Sequence, residues 1–436
     1  MNYIEVLDYL YGRLPMFTRD GASAFKKDLT NTLKLCAALD DPHRQFRAIH
    51  VAGTNGKGST SHMLAAILQC AGYRTGLYTS PHLLDFRERI QINGAVVPKD
   101  FVVDFVNRHQ SLIEAVQPSF FEVTVAMAFA YFAAKKVDIA VIETGLGGRL
   151  DSTNVIHPLL SLITNIGYDH MHMLGNSLTA IAGEKAGIIK WHTPIVISER
   201  QDDIDNLFIQ RAAELHAPIH FASDAWRIEK TAIDPQFQYL SAYPNDEKAS
   251  LGMKLELQLD LRGSYQQKNV AGVLTSIPLL QSAGYAISTM QIQQGLRNVQ
   301  QLTGLMGRWQ TLATQPTVIC DTGHNEDGWK EIIKNLAYST YSQLHLVIGV
   351  MRDKDLPPIL QRLPKEAIYY FCNPDFERAL PAKELQIQAL SYQLVGNAYT
   401  SIPNAIQAAQ AAAAPDDLIF IGGSTFVVAD ALPLFM

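Results

Sequence analysis

The chain has 436 residues, 47% hydrophobic and 18% charged, which makes it a folded protein of two or three domains rather than a disordered one. Its formal net charge of -6, from 36 basic and 42 acidic side chains, gives no electrostatic ground for binding nucleic acid or a membrane. The four cysteines, Cys36, Cys70, Cys320 and Cys372, form no CxxC pair, which argues against a disulfide framework or zinc site and for reduced thiols in the cytoplasm.

Residues 1–14 include acidic side chains and no continuous apolar run, so they do not read as a signal peptide. Beyond them, short apolar runs followed by helical spacing predict parallel sheets with crossover helices. The first strand is expected at 46–52 and its helix at 59–71, stopped by Gly72. Asn93-Gly94 separates two apolar stretches as a hairpin turn does. The apolar segment 123–134 falls short of the roughly 18–20 residues of a membrane span and reads as a buried helix. Further strands are expected at 138–142, 161–166 and 194–198. From 221 to 261 the pattern changes: a Pro-Asn-Asp turn at 244–246 and alternation over 253–261 suggest antiparallel strands, before 263–283 returns to helical spacing. Glycines and polar residues break the pattern over 295–307, which places a boundary between domains 1–298 and 299–436. A second α/β series follows, with strands at 317–320, 344–349, 368–371 and 418–421 and a helix end in the alanine-rich 408–414.

Between the first strand and its helix lies Gly53-Thr54-Asn55-Gly56-Lys57-Gly58-Ser59-Thr60. Glycines let successive backbone N–H groups converge on an anion, and the helix that follows adds its positive end. Lys57 is placed to reach terminal phosphates, while Ser59 or Thr60 can offer a hydroxyl to phosphate or Mg²⁺. The spacing departs from G-x-x-x-x-G-K-[ST]: Val51 stands where its first glycine would be, and Gly58 separates lysine from serine. This variant resembles the loop of the folylpolyglutamate synthase/dihydrofolate synthase family, within the Mur ligase superfamily. The resemblance implies an α/β fold with a P-loop-containing central domain, built on a mainly parallel sheet, and a Rossmann-like C-terminal domain.

Further segments match the family in order, through to about Ser424. In Thr79-Ser80-Pro81-His82-Leu83 the resemblance makes Ser80 a Mg²⁺ ligand; read alone, it is an ordinary Ser-Pro turn. Glu143, at the end of a buried strand, is a hard oxygen donor at the edge where α/β sheets bind ligands. It opens Glu143-Thr144-Gly145-Leu146-Gly147-Gly148-Arg149-Leu150-Asp151, which is similar to the family's mobile loop beside the ATP and folate sites; Gly147, Gly148, Arg149 and Asp151 inherit that role. His170 matches a second metal ligand, with Tyr168 in place of the family's usual leucine. Lys185 matches a lysine that is carbamylated in the family, a chemistry that needs a pKa depressed by burial; read alone, it is a surface lysine. Gln266 and Asn269 are spaced to face one ligand, and Asn269 inherits nucleotide contact, although Tyr265 replaces a more frequent histidine. After the boundary, Arg308 matches a phosphate-neutralising arginine. Asp321-Thr322-Gly323-His324-Asn325 matches a segment in which His324 meets phosphate or the acyl group, Asp321 orients it and Asn325 lies near the nucleotide; Glu326 replaces the family's proline.

The resemblance implies an ATP- and Mg²⁺-dependent ligase that converts a folate or dihydropteroate carboxylate to an acyl phosphate for attack by the amine of L-glutamate. It implies a cytoplasmic monomer acting on small molecules, in folate biosynthesis and polyglutamylation. Two other readings stand beside it: a UDP-N-acetylmuramyl amino-acid ligase, and a non-catalytic nucleotide-dependent switch. The residues leave open whether the product is dihydrofolate, polyglutamylated folate or both.

Overall fold

The computed structural model describes residues 1–21, 28–245 and 254–436. Their contacts define two compact units, Met1–Asp260 with Gln266–Leu305, and Leu261–Tyr265 with Met306–Met436. No helix among the described residues is long and apolar enough to cross a membrane.

The first unit is built on eight strands: β1 (Ala48–Ala52), β2 (Thr75–Tyr78), β3 (Ile90–Ile92), β4 (Ala95–Val96), β5 (Ile139–Glu143), β6 (Leu160–Ile163), β7 (Ile195–Ile197) and β8 (Ile219–Phe221). They lie in the order β4-β3-β2-β5-β1-β6-β7-β8. Pairing is parallel except at β3 and β4, the hairpin around Asn93-Gly94. The strands β1, β5 and β6 are buried along their whole length and mostly apolar, as strands covered on both faces are. The predicted buried helix is Phe120–Ala134, opened by a capping box in which Ser119 and Glu122 satisfy each other's backbone N–H groups. From β1 the chain passes over β5 to β2, comes back to β5, then crosses to β6 on the other side of β1. That reversal opens a crevice at the C-terminal ends of these strands, where α/β sheets bind ligands.

The expected antiparallel stretch is a separate sheet, with β9 (Trp226–Ile233), β10 (Gln238–Pro244) and β11 (Leu255–Leu259) in the order β11-β10-β9. Asp246 of the expected turn and Met253 of the alternating stretch lie outside the described residues. Gly295, expected in a break, is instead inside the helix Thr289–Arg297; a Cβ there would stand 2.7 Å from the Ile67 Cα. This glycine allows close helix packing rather than ending an element.

The second unit has six strands: β12 (Gln310–Thr314), β13 (Thr317–Asp321), β14 (Leu344–Ile348), β15 (Ile368–Phe371), β16 (Gly396–Ala398) and β17 (Leu418–Gly422), in the order β12-β13-β17-β14-β15-β16. All pairs are parallel except β12 with β13. Its apolar core gathers Trp329, Leu346, Tyr369, Phe371 and Phe420.

Candidate active site

The phosphate loop leaves β1 at Ala52, and the helix Lys57–Cys70 begins directly after Gly56. Two glycines are required here. Gly53 (φ 149°) would place a Cβ 1.8 Å from the Thr164 Oγ1, and Gly56 (φ 87°) would place one 2.3 Å from the Asn269 Oδ1. The loop is held by the turn after β6: Asn165 accepts from the Thr54 N–H at 2.9 Å through its carbonyl and from the Asn55 N–H at 2.8 Å through its side chain. The Lys57 Nζ folds back on the loop, donating to the carbonyls of Gly53 and Thr54 at 3.1 and 3.2 Å.

From the helix Gln266–Ser282, the Gln266 side chain donates to the Ser59 Oγ at 3.1 Å and accepts from the Asn269 amide at 2.7 Å. The predicted pair therefore faces the loop. The Thr60 hydroxyl is buried and has no hydrogen-bond partner among the described residues.

Lys185 corrects the reading made from its neighbours alone. It is buried on the helix Leu178–Ala186 and donates to the Gly53 carbonyl at 2.7 Å. Burial, reinforced by the nearby Lys57 charge and opposed by Asp169 and Asp151, lowers its pKa to about 7.

Glu143, the last residue of β5, is buried and accepts from the Ser80 N–H at 3.2 Å, which brings together the turn after β2 and the end of β5. His170 follows β6 in a left-handed conformation (φ 50°), its ring 3.8 Å from the Asp169 carboxylate. No group of three or more His, Cys, Asp or Glu side chains among the described residues forms a metal cage. Mg²⁺ does not need one: it keeps several waters and takes one or two protein oxygens beside substrate phosphates. The buried Glu143 carboxylate and adjacent Ser80 hydroxyl, hard oxygen donors at the edge that carries the phosphate loop, fit that demand.

The glycine-rich segment after β5 packs more closely than a free loop would. A Cβ on Gly148 would meet the Glu184 carbonyl at 2.8 Å, and one on Gly187 would meet the Arg149 Cα at 2.4 Å. The Arg149 N–H donates to the Glu184 carbonyl at 2.7 Å, and its guanidinium, more than half exposed, pairs with the Glu184 carboxylate at 2.7 Å. Asp151 is buried and accepts from the Leu146 N–H at 2.8 Å and the Thr153 hydroxyl at 2.5 Å; burial raises its pKa. In this structure Gly148 serves docking onto the helix, and Gly147 (φ 68°) supplies the turn before it.

In the second unit Arg308, Asp321, His324 and Asn325 gather at the C-terminal end of β13. Asp321 does not orient His324. Its buried carboxylate accepts from the Tyr265 hydroxyl at 2.6 Å, the Trp309 N–H at 2.8 Å and the Gly323 N–H at 2.8 Å. Burial raises its pKa, against the lowering effects of Tyr265 and Arg308. The His324 Nδ1 lies 3.0 Å from the Thr322 carbonyl instead, and the Arg308 guanidinium donates to the Thr322 hydroxyl. Asn325 caps the helix Glu326–Ala337, accepting from the Gly328 N–H at 2.9 Å. Thr164, Asn165 and Thr322 carry roles that no motif assigns them, and their only signal in the sequence is that they are polar residues placed directly after buried strands.

Two family models match this chain: the Mur ligase middle domain over residues 51–277, and the Mur ligase glutamate ligase domain over 307–425. It is 34% identical to the dihydrofolate synthase/folylpolyglutamate synthase of Bacillus subtilis over 440 aligned residues, covering 98% of each chain. The chain belongs to the folylpolyglutamate synthase/dihydrofolate synthase family. Among solved structures, the folylpolyglutamate synthase of Mycobacterium tuberculosis complexed with ADP and AMPPCP superposes with a TM-score of 0.88 at 28% identity, covering 100% of this chain and 99% of the other. Escherichia coli FolC in complex with DHPP and ADP gives 0.85 at 26% identity, covering 100% and 97%. Membership makes the protein an ATP-dependent ligase.

Proposed function

We propose that the protein ligates L-glutamate to the carboxylate of dihydropteroate or of a folate, through an acyl phosphate formed at the expense of ATP. The observation that supports this most is the phosphate loop seated against Asn165 and Asn269 with Lys57 folded over it. Beside it are Ser80 and Glu143, whose oxygens would hold Mg²⁺, with His170 as a further ligand. When bound, Mg²⁺ would neutralise phosphate charge during transfer.

Lys57 orients the γ-phosphate for in-line attack by the substrate carboxylate, a reaction that needs mainly positioning and charge neutralisation. Asn269, Arg308, Asp321 and Asn325 contribute to nucleotide binding, and His324 meets the transferring phosphoryl or acyl group. Gly147, Gly148, Arg149 and Asp151 border the folate. The larger unit, whose last residue is Leu305 rather than the expected 298, serves as the ATP-binding domain and the smaller unit as the ligase domain of a cytoplasmic monomer. With an amine pKa of about 7, Lys185 has a large neutral fraction at physiological pH, which is the form that adds CO₂ to give a carbamate and a proton. The full-length relatives named for folate ligation weigh against the UDP-muramyl alternative, and the glutamate ligase domain weighs against a non-catalytic switch.

Purified protein supplied with ATP, Mg²⁺ and glutamate is expected to release phosphate and form product with dihydropteroate, with tetrahydrofolate, or with both. Lys57→Ala should lower that rate by about a thousandfold or more. Turnover of a UDP-sugar peptide with neither pteridine accepted would overturn the reading.

A further inference from the structure

Arg89 ends the short helical turn Phe86–Arg89 and is 6% exposed. Burying a guanidinium is costly unless an anion compensates it. The adjacent carboxylates are engaged elsewhere. Glu88 accepts from the N–H groups of Leu83, Leu84 and Asp85 at 2.7, 2.8 and 2.7 Å, and Asp85 pairs with Arg87 at 2.6 Å. Arg89 makes no salt bridge among the described residues; its Cζ lies 5.2 Å from the Phe120 ring centroid, its Nε donates to the His82 Nδ1 at 2.7 Å, and its side chain also reaches the Tyr78 hydroxyl.

A guanidinium Nε always carries its hydrogen, so the His82 Nδ1 must be the acceptor and the ring proton must sit on Nε2. That Nε2–H makes no hydrogen bond among the described residues, and the ring stands 6.3 Å from Tyr11 and 6.4 Å from Phe86, centroid to centroid. His82 is two residues beyond Ser80, on the turn after β2, at the strand edge that also carries Glu143 and the phosphate loop. The structure thus supplies a donor of fixed tautomer, backed by a buried guanidinium that makes no salt bridge among the described residues and flanked by aromatic rings. An anionic oxygen on an aromatic molecule answers all three features.

We infer that His82 reads the substrate, donating its Nε2–H to a carboxylate oxygen of the aromatic acid to be ligated, with Arg89 as the positioning residue that holds the ring. The inference rests on the folate-ligase reading above. Equilibrium binding of dihydropteroate in the presence of ADP tests it, with ADP binding measured separately. His82→Phe and His82→Leu should weaken dihydropteroate binding by about tenfold and leave ADP affinity within about twofold of wild type. His82→Gln, whose amide can donate from nearly the same place, should recover most of the loss. Wild-type affinity in both apolar variants, an equal loss for ADP, or no recovery with glutamine would overturn the role of His82 alone. A wild-type protein that binds ADP but neither dihydropteroate nor a folate would overturn the substrate reading itself, and the inference with it.

Discussion

Lys185 hangs its amine on the carbonyl of Gly53, and burial lowers its pKa from 10.5 to about 7. The unfolded chain keeps the ordinary value, so between about pH 7 and 10.5 the unfolded state binds the additional proton and folding stability rises with pH. The cost of a buried ammonium is fully present below that window and relieved above it. Lys185→Met removes the titrating group. The stability of wild type relative to this variant should therefore climb from pH 7 to pH 10, as followed by urea unfolding; parallel pH profiles would show that the amine is not desolvated. Nothing local announces this burial. Gly183, Glu184, Ala186 and Gly187 surround the lysine with neither a strong apolar face nor a neighbouring charge pattern, and only the close approach of Gly148 and Gly187 to the opposing segment creates it.

The strand–loop–helix element that carries Lys57 was legible because each of its parts has a physical signature: a mostly apolar, fully buried strand, glycines where the backbone must turn, and a helix that starts at once. Gly56 makes this testable. Alanine there meets both a left-handed φ of 87° and the Asn269 Oδ1 at 2.3 Å, so the loop or the Gln266–Asn269 pair must shift. Gly56→Ala should cost about 1–2 kcal/mol in stability and weaken ADP binding by about tenfold or more. Unchanged ADP affinity by calorimetry would show that the loop is not seated as described. Other elements left little trace. β16 is only Gly-Asn-Ala, without a β-branched residue, and owes its form to pairing with β15. Asp321 and His324 were legible as a pair at a strand end, but not the direction of the carboxylate, because Tyr265 and the Trp309 N–H that claim it come from elsewhere in the chain.

Over the whole molecule, the phosphate loop belongs entirely to the larger unit, with its holding partners Asn165, Lys185 and Asn269. A nucleotide bound there but not to the unfolded chain should stabilise that unit by about 2.7 kcal/mol at a hundredfold excess over Kd. Urea unfolding with and without ADP checks this, and Lys57→Ala should lose most of the gain. An identical gain in wild type and variant would place the nucleotide elsewhere.

The chain visits the smaller unit twice, first for Leu261–Tyr265 and finally from Met306 onward. In that first visit the Arg262 guanidinium reaches the Thr311 hydroxyl at 2.7 Å, the Ser264 N–H reaches the Asn335 side chain at 3.0 Å, and Tyr265 reaches Asp321. On the ribosome these five residues emerge before any of their partners exist. The larger unit can finish folding once Leu305 is out, while these five residues still wait for partners in the polypeptide being made. The smaller unit therefore completes itself with a segment made long before the rest of it, and a gene that began at residue 306 would produce a fragment that starts life with its Asp321 carboxylate lacking one of its three hydrogen bonds.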